Sequence, residues 1–141
     1  MPAAPRLPDY SCAIITGVDD RLLLQLRPAH ARHAPGLLTC FGGRREGHEG
    51  PRECLLRELT EELGWAPPVS EPVCDLERGD LLIARFFRCP MAAGTPLVTE
   101  PGHLALWAAW RTLPGLPVSA WHRLVLEAVA DGRTSVALPE R

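Results

Sequence analysis

The chain has 141 residues, 46% of them hydrophobic and 23% charged, which fits one folded domain around a single core and argues against disorder. Its formal net charge of −2 supplies no global attraction to polymeric nucleic acid or to anionic lipid. All fifteen basic residues are arginines, so Schiff-base lysine chemistry and the phosphate-loop lysine of P-loop enzymes are both excluded.

Residues 1–9 are expected to form a loose, Pro-rich leader without the apolar stretch of a signal peptide, and residues 10–141 a single domain. Ser11–Val18 reads as a buried strand, Asp19-Asp20 as a hairpin turn and Arg21–Leu26 as the partner strand. A polar loop rich in Arg, His and Pro follows over Arg27–Pro35. Leu37–Phe41 is then a short strand running into Gly42-Gly43. The spacing predicts a helix from Pro51, with Gly50 as N-cap, Glu53 near the positive end of the dipole and Gly64 as the stop. Leu55, Leu56, Leu59 and Leu63 form its apolar stripe. Val73–Leu76 and Leu81–Arg88 suggest a second hairpin around Arg78-Gly79-Asp80, and 90–101 a loop. Leu104–Trp110 reads as a strand and Ala120–Ala130 as an amphipathic helix ended by Gly132. The order implies a mixed sheet with helices packed on its faces.

The five cysteines form no C-x-x-C pair and are odd in number, which fits free thiols in a reducing cytoplasm. No apolar run approaches the ~20 residues of a membrane helix.

The chemistry concentrates in Gly43–Trp65. At about 100° per residue, Glu58, Glu61 and Glu62 project from one helical face as i, i+3 and i+4. Three like charges so close repel one another, and a divalent cation would resolve the repulsion. Carboxylates are hard ligands, which favours Mg²⁺, or Mn²⁺ in its place, over Zn²⁺. A structural Ca²⁺ site would need no phosphate chemistry, but the EF-hand loop pattern is absent. Gly42-Gly43 lets backbone carbonyls approach an ion or phosphate closely. Arg57 can orient Glu58 through a charge-assisted bond, and Glu49 can pair with Arg57 or support the outer metal shell.

The segment resembles a complete Nudix box, G-x5-E-x7-R-E-U-x-E-E-x-G-U with U a bulky apolar residue. Gly43, Glu49, Arg57, Glu58, Leu59, Glu61, Glu62, Gly64 and Trp65 fill it. Seven fixed residues would match one window by chance on the order of 1 in 10⁸. LLLQLR (Leu22–Arg27) is similar to the family's second strand, and Trp107 with Leu113-Pro114 resembles its W-x5-L-P pattern. The resemblance implies the Nudix fold, an α/β/α sandwich around a mixed sheet, with the box as loop–helix–loop. It also implies Mg²⁺-dependent hydrolysis of the diphosphate linkage in a nucleotide-like small molecule. Glu58, Glu61, Glu62 and the Gly43 carbonyl would then be metal ligands, with Glu49 supporting them. Glu58 is the first candidate for general base, and Glu100, seven residues before Trp107, the second. Many members of the family are homodimers, and a homodimer is compatible with this chain.

Substrate residues are less legible. Arg27, Arg32 and His33 could meet phosphate or base, and Phe86, Phe87, Trp107 and Trp110 could stack on a base, although such aromatics are more often core. His30, His48, His103 and His122 show no spacing that suggests a role. The lack of any Asn excludes the asparagine by which some 8-oxo-dGTP hydrolases of the family read the oxidised base. A Nudix-fold sensor or interaction module without turnover is the competing reading. Such modules usually show eroded boxes, whereas this one is intact.

Overall fold

The computed structural model describes residues 6–140. They form a mixed β-sheet with a helix on each face. In chain order the strands are β1 (Tyr10–Thr16), β2 (Arg21–Leu26), β3 (Leu38–Thr39), β4 (Phe41–Arg44), β5 (Glu71–Arg78), β6 (Leu81–Pro90), β7 (Leu104–Ala109) and β8 (Ser135–Ala137). Helix α1 (Pro51–Leu63) follows β4 and helix α2 (Ala120–Ala130) precedes β8. The sheet path is β3-β2-β1-β6-β5-β8, with β4 also pairing with β1, and β7 with β2.

The central strands β1 and β2 alternate their side chains between two cores. Ala13, Ile15, Leu23, Phe41 and Phe87 meet Leu55, Leu59 and Leu63 of α1, whereas Cys12, Ile14, Leu22, Leu24 and Phe86 meet Val125 and Leu126 of α2. A central strand covered on both faces needs apolar residues at every position, which is why SCAIIT and LLL read as unbroken runs. On α1 the fully buried positions are Cys54, Leu55, Leu59 and Leu63, while Leu56 is only half-buried. The stripe is therefore rotated by part of a turn from the one expected. Trp110 leaves the sheet and opens a 3-10 turn that runs to Gly115.

The expected single strand Leu37–Phe41 is in fact two. β3 continues β2 with the pairs Gln25↔Thr39 and Leu26↔Leu38, and β4 then crosses to β1 with the pairs Ala13↔Phe41 and Cys12↔Gly42. Between them, the Cys40 N–H donates to Nδ1 of His122 at 3.1 Å instead of to a strand. β1 meets β2 only near its C-terminal end, at Ile15↔Leu23 and Thr16↔Leu22, so the two strands splay and β3–β4 enter the gap. β8 is the element absent from the sequence reading. It is three residues long and lies parallel to β5 at the sheet edge.

Of the leader expected over residues 1–9, residues 1–5 lie outside the described residues. Asp9 donates its N–H to the Leu82 carbonyl at 3.3 Å and accepts the Arg45 N–H at 2.8 Å, so the chain just before β1 is bonded to the domain. The five cysteines are free and buried. Among the described residues no helix is long and apolar enough to cross a membrane.

Candidate active site

The site forms where β4 turns toward α1. Gly42 pairs with Cys12 at a φ of 146°, and a Cβ there would collide with the Ser11 carbonyl, so only glycine permits this close pairing. A Cβ on Gly43 would occupy the space of the Glu58 carboxylate. The glycine pair thus brings the β4 backbone against the acidic face of α1. The base of the helix is fixed from beneath by the buried Ser11 hydroxyl, which donates to the Pro51 carbonyl at 2.8 Å.

Arg57 organises the carboxylates. Its guanidinium grips Glu49 with two bonds of 2.6 and 3.0 Å, reaches Glu58 at 3.0 Å and Glu61 at 3.4 Å, and donates to the Arg44 carbonyl at 3.0 Å. Bidentate, charge-assisted bonds of this kind fix orientation as well as charge. Its bond to Arg57 holds the Glu49 carboxyl below the usual range, helped by the Glu46 N–H.

Glu62 faces the other way. It is buried at 7% exposure, accepting the Gly42 N–H at 2.9 Å on one oxygen and the Gln25 Nε2–H at 3.2 Å on the other. Burial, and then the charge of Glu58, push its carboxyl up to about 8. Burial also raises Glu58, against the pull of Arg57. A pair of carboxylates held in this state strongly favours an added cation.

Glu58, Glu61 and Glu62 do share one helical face, but they divide between partners: Glu58 and Glu61 lean on Arg57, and Glu62 turns to Gly42 and Gln25. Among the described residues no three His, Cys, Asp or Glu side chains converge as a closed ligand cage. The donors still suit a hard divalent cation, because a cradle that a Cβ would fill lies between Gly43 and Glu58 beside the buried, proton-raised Glu62. Glu100, exposed on the loop before β7, is near enough for its charge to raise Glu62 further.

A cavity of about 620 Å³ runs from these glycines, lined by Gln25, Arg27 and His33 on one side and by Cys40, Phe86 and His122 on the other. Arg27 lines it, held by bonds to the His33 carbonyl at 2.7 Å and to Oε1 of Gln25 at 3.3 Å. Arg32 is exposed and does not line the cavity. Trp107 lies elsewhere, packing its ring on Gly17 beside a separate hollow with Arg21 and Met91. Cys12 and Cys40 line the cavity, but burial raises both thiols, Cys40 to about 12, so neither is a nucleophile.

Two residues gained significance only in three dimensions. Gln25 bridges Arg27 to Glu62. The one hint of it in sequence is a polar residue inside the apolar run LLLQL. His122, on the first turn of α2, meets Cys40 from a remote part of the chain, and no local pattern signals that contact.

Residues 6–129 match the family model described as the NUDIX domain. The chain belongs to the Nudix hydrolase family. Members of this family generally use divalent metals. This Nudix chain is 42% identical over 66 residues to the CTP pyrophosphohydrolase of Escherichia coli (strain K12). The match covers 47% of this chain and 48% of that protein, so the chain spans about half the length of the curated relative it matches. Its fold is similar to the solution structure of the E. coli ORF135 protein, with a TM-score of 0.72 and 28% identity, covering 89% of this chain and 90% of that one. It is also similar to the crystal structure of a MutT NUDIX hydrolase from Burkholderia pseudomallei, with a TM-score of 0.70 and 27% identity, covering 90% of this chain and 99% of that one.

Proposed function

We propose that this protein is a Mg²⁺-dependent pyrophosphohydrolase of a nucleoside triphosphate, with Mn²⁺ able to substitute. The observation that carries the reading is the buried Glu62 beside Glu58 and the Gly42-Gly43 backbone, the two glycines also lining a cavity sized for a nucleoside. The curated relative named for CTP pyrophosphohydrolase supports the reaction class, and its named base is not carried over to this chain.

Glu58, Glu62 and the Gly43 carbonyl would hold the ion, with Glu61 available from the same face. When bound, Mg²⁺ supplies charge neutralisation of the diphosphate and acidification of the attacking water. Arg57 holds Glu58 in place and Glu49 holds Arg57, so the carboxylates need little reorganisation during the reaction. Glu58 accepts the proton of the water, with Glu100 as the second candidate. Arg27 meets the phosphates or ribose at the cavity wall.

The test is pyrophosphate and phosphate release over a nucleotide panel with and without Mg²⁺, using Glu61→Gln and Glu62→Gln as controls. Mg²⁺-dependent release that falls by about 10² or more in the variants is expected. Near-normal turnover in either folded variant would overturn the metal assignment. Silence across the panel with tight nucleotide binding would assign the fold to a sensor instead.

A further inference from the structure

His122 takes no part in the chemistry proposed above, yet it lines the same cavity as Gly42 and Gly43. The Cys40 N–H donates to its Nδ1 at 3.1 Å. An amide N–H is only a donor, so Nδ1 is the bare nitrogen and the neutral ring carries its proton on Nε2. Burial lowers the ring to about 4, so the neutral form persists at physiological pH. Phe86 packs against it edge-on, with centroids 5.5 Å apart and planes at 78°, fixing the ring plane.

Nε2 has no hydrogen-bond partner among the described residues, and it is not a sealed buried atom. It is therefore available to whatever fills the cavity. Of the other polar groups lining the cavity, Arg27, Arg44 and Trp121 are also donors only, the two arginines being charged and suited to phosphate, while the rest carry less information. The hydroxyls of Tyr10, Thr39 and Ser119 can each turn to donate or accept, and the amide of Gln25 is already engaged at both ends.

We infer that His122 is a specificity-determining residue, whose Nε2–H selects a nucleobase presenting a carbonyl oxygen over one presenting an amino group at the same position. The inference rests on the reading of this cavity as a nucleotide site. An amino group facing a fixed N–H leaves two donors opposed and unpaired, and buried mismatches of this kind discriminate strongly.

The test compares two nucleotide pairs that differ in oxygen against amino at one ring carbon, UTP with CTP and ITP with ATP. Wild-type kcat/KM is expected to favour the carbonyl member of the better-accepted pair by about tenfold or more. His122→Asp, an acceptor at neutral pH, is expected to bring that ratio below one, and His122→Phe to bring it close to one. Calorimetric binding of the corresponding α,β-methylene analogues gives the same comparison without turnover, and ¹⁵N-histidine NMR reads the tautomer. An unchanged ratio in a turning-over His122→Asp variant, or an Nδ1-protonated ring, would overturn the role of His122 and leave the hydrolase standing. A carbonyl preference in binding, lost in His122→Asp and without turnover in wild type, would support His122 and overturn the hydrolase. Failure to bind any nucleotide would overturn both.

Discussion

Glu62→Gln should stabilise the metal-free protein while abolishing its response to Mg²⁺. Glu62 has an ordinary carboxyl value of 4.5 and is pushed up to about 8 in the fold, chiefly by burial. Between those values the folded state holds a proton that the unfolded chain releases. This stability contribution is full below about pH 4.5 and is lost as pH rises through about 8. With 1.36 kcal/mol per pH unit, the loss between pH 5 and pH 8 comes to about 3 to 4 kcal/mol. Glutamine has the shape of the protonated acid and does not titrate, so the variant should lack that slope. Its amide can satisfy only one of the Gly42 and Gln25 donors, at a cost of about 1 kcal/mol at every pH. Urea denaturation in EDTA at pH 5 and pH 8 reads the difference directly. The variant should be close to wild type or slightly weaker at pH 5, and clearly more stable at pH 8. Added Mg²⁺ should then raise the wild-type midpoint at pH 8 and leave that of the variant unmoved. Parallel stability curves for the two proteins across this range would refute the burial argument for Glu62.

Arg57→Gln removes the shared partner of Glu49, Glu58 and Glu61, and should lower kcat by about 10² with a smaller change in KM, checked by steady-state kinetics at saturating Mg²⁺. Gln25→Leu leaves Glu62 with one donor and releases Arg27. Mg²⁺ affinity measured by calorimetry should fall by about tenfold, and KM for the nucleotide should rise with it. His122 sits near 4 in the fold against an ordinary 6.5. The unfolded chain therefore binds the extra proton first as pH falls, and stability is lost from about pH 6.5 down through about 4. The loss should be about 2 kcal/mol, discounted for the ring's partial exposure, and denaturation of His122→Phe over the same range should lack it.

The sequence determined the parts whose physics is local. A helix with Pro51 at its start, Gly64 at its end and carboxylates at i, i+3 and i+4 follows from periodicity and capping, and both helices form where they were expected. The strands of SCAIIT, RLLLQL and the β5–β6 hairpin were equally legible, because apolar runs bounded by turns need no distant partner to be recognised. The intact box located the acidic face before any fold was known. The tertiary structure decided what lies across from it. The splay of β1 from β2, the break of the expected strand at Cys40 and the placing of Trp107 on Gly17 all depend on contacts between segments far apart in the chain. The same is true of the sharply raised Glu62. A carboxylate's environment is set by whatever buries it, and here that is Gly42 and Gln25 arriving from two other strands.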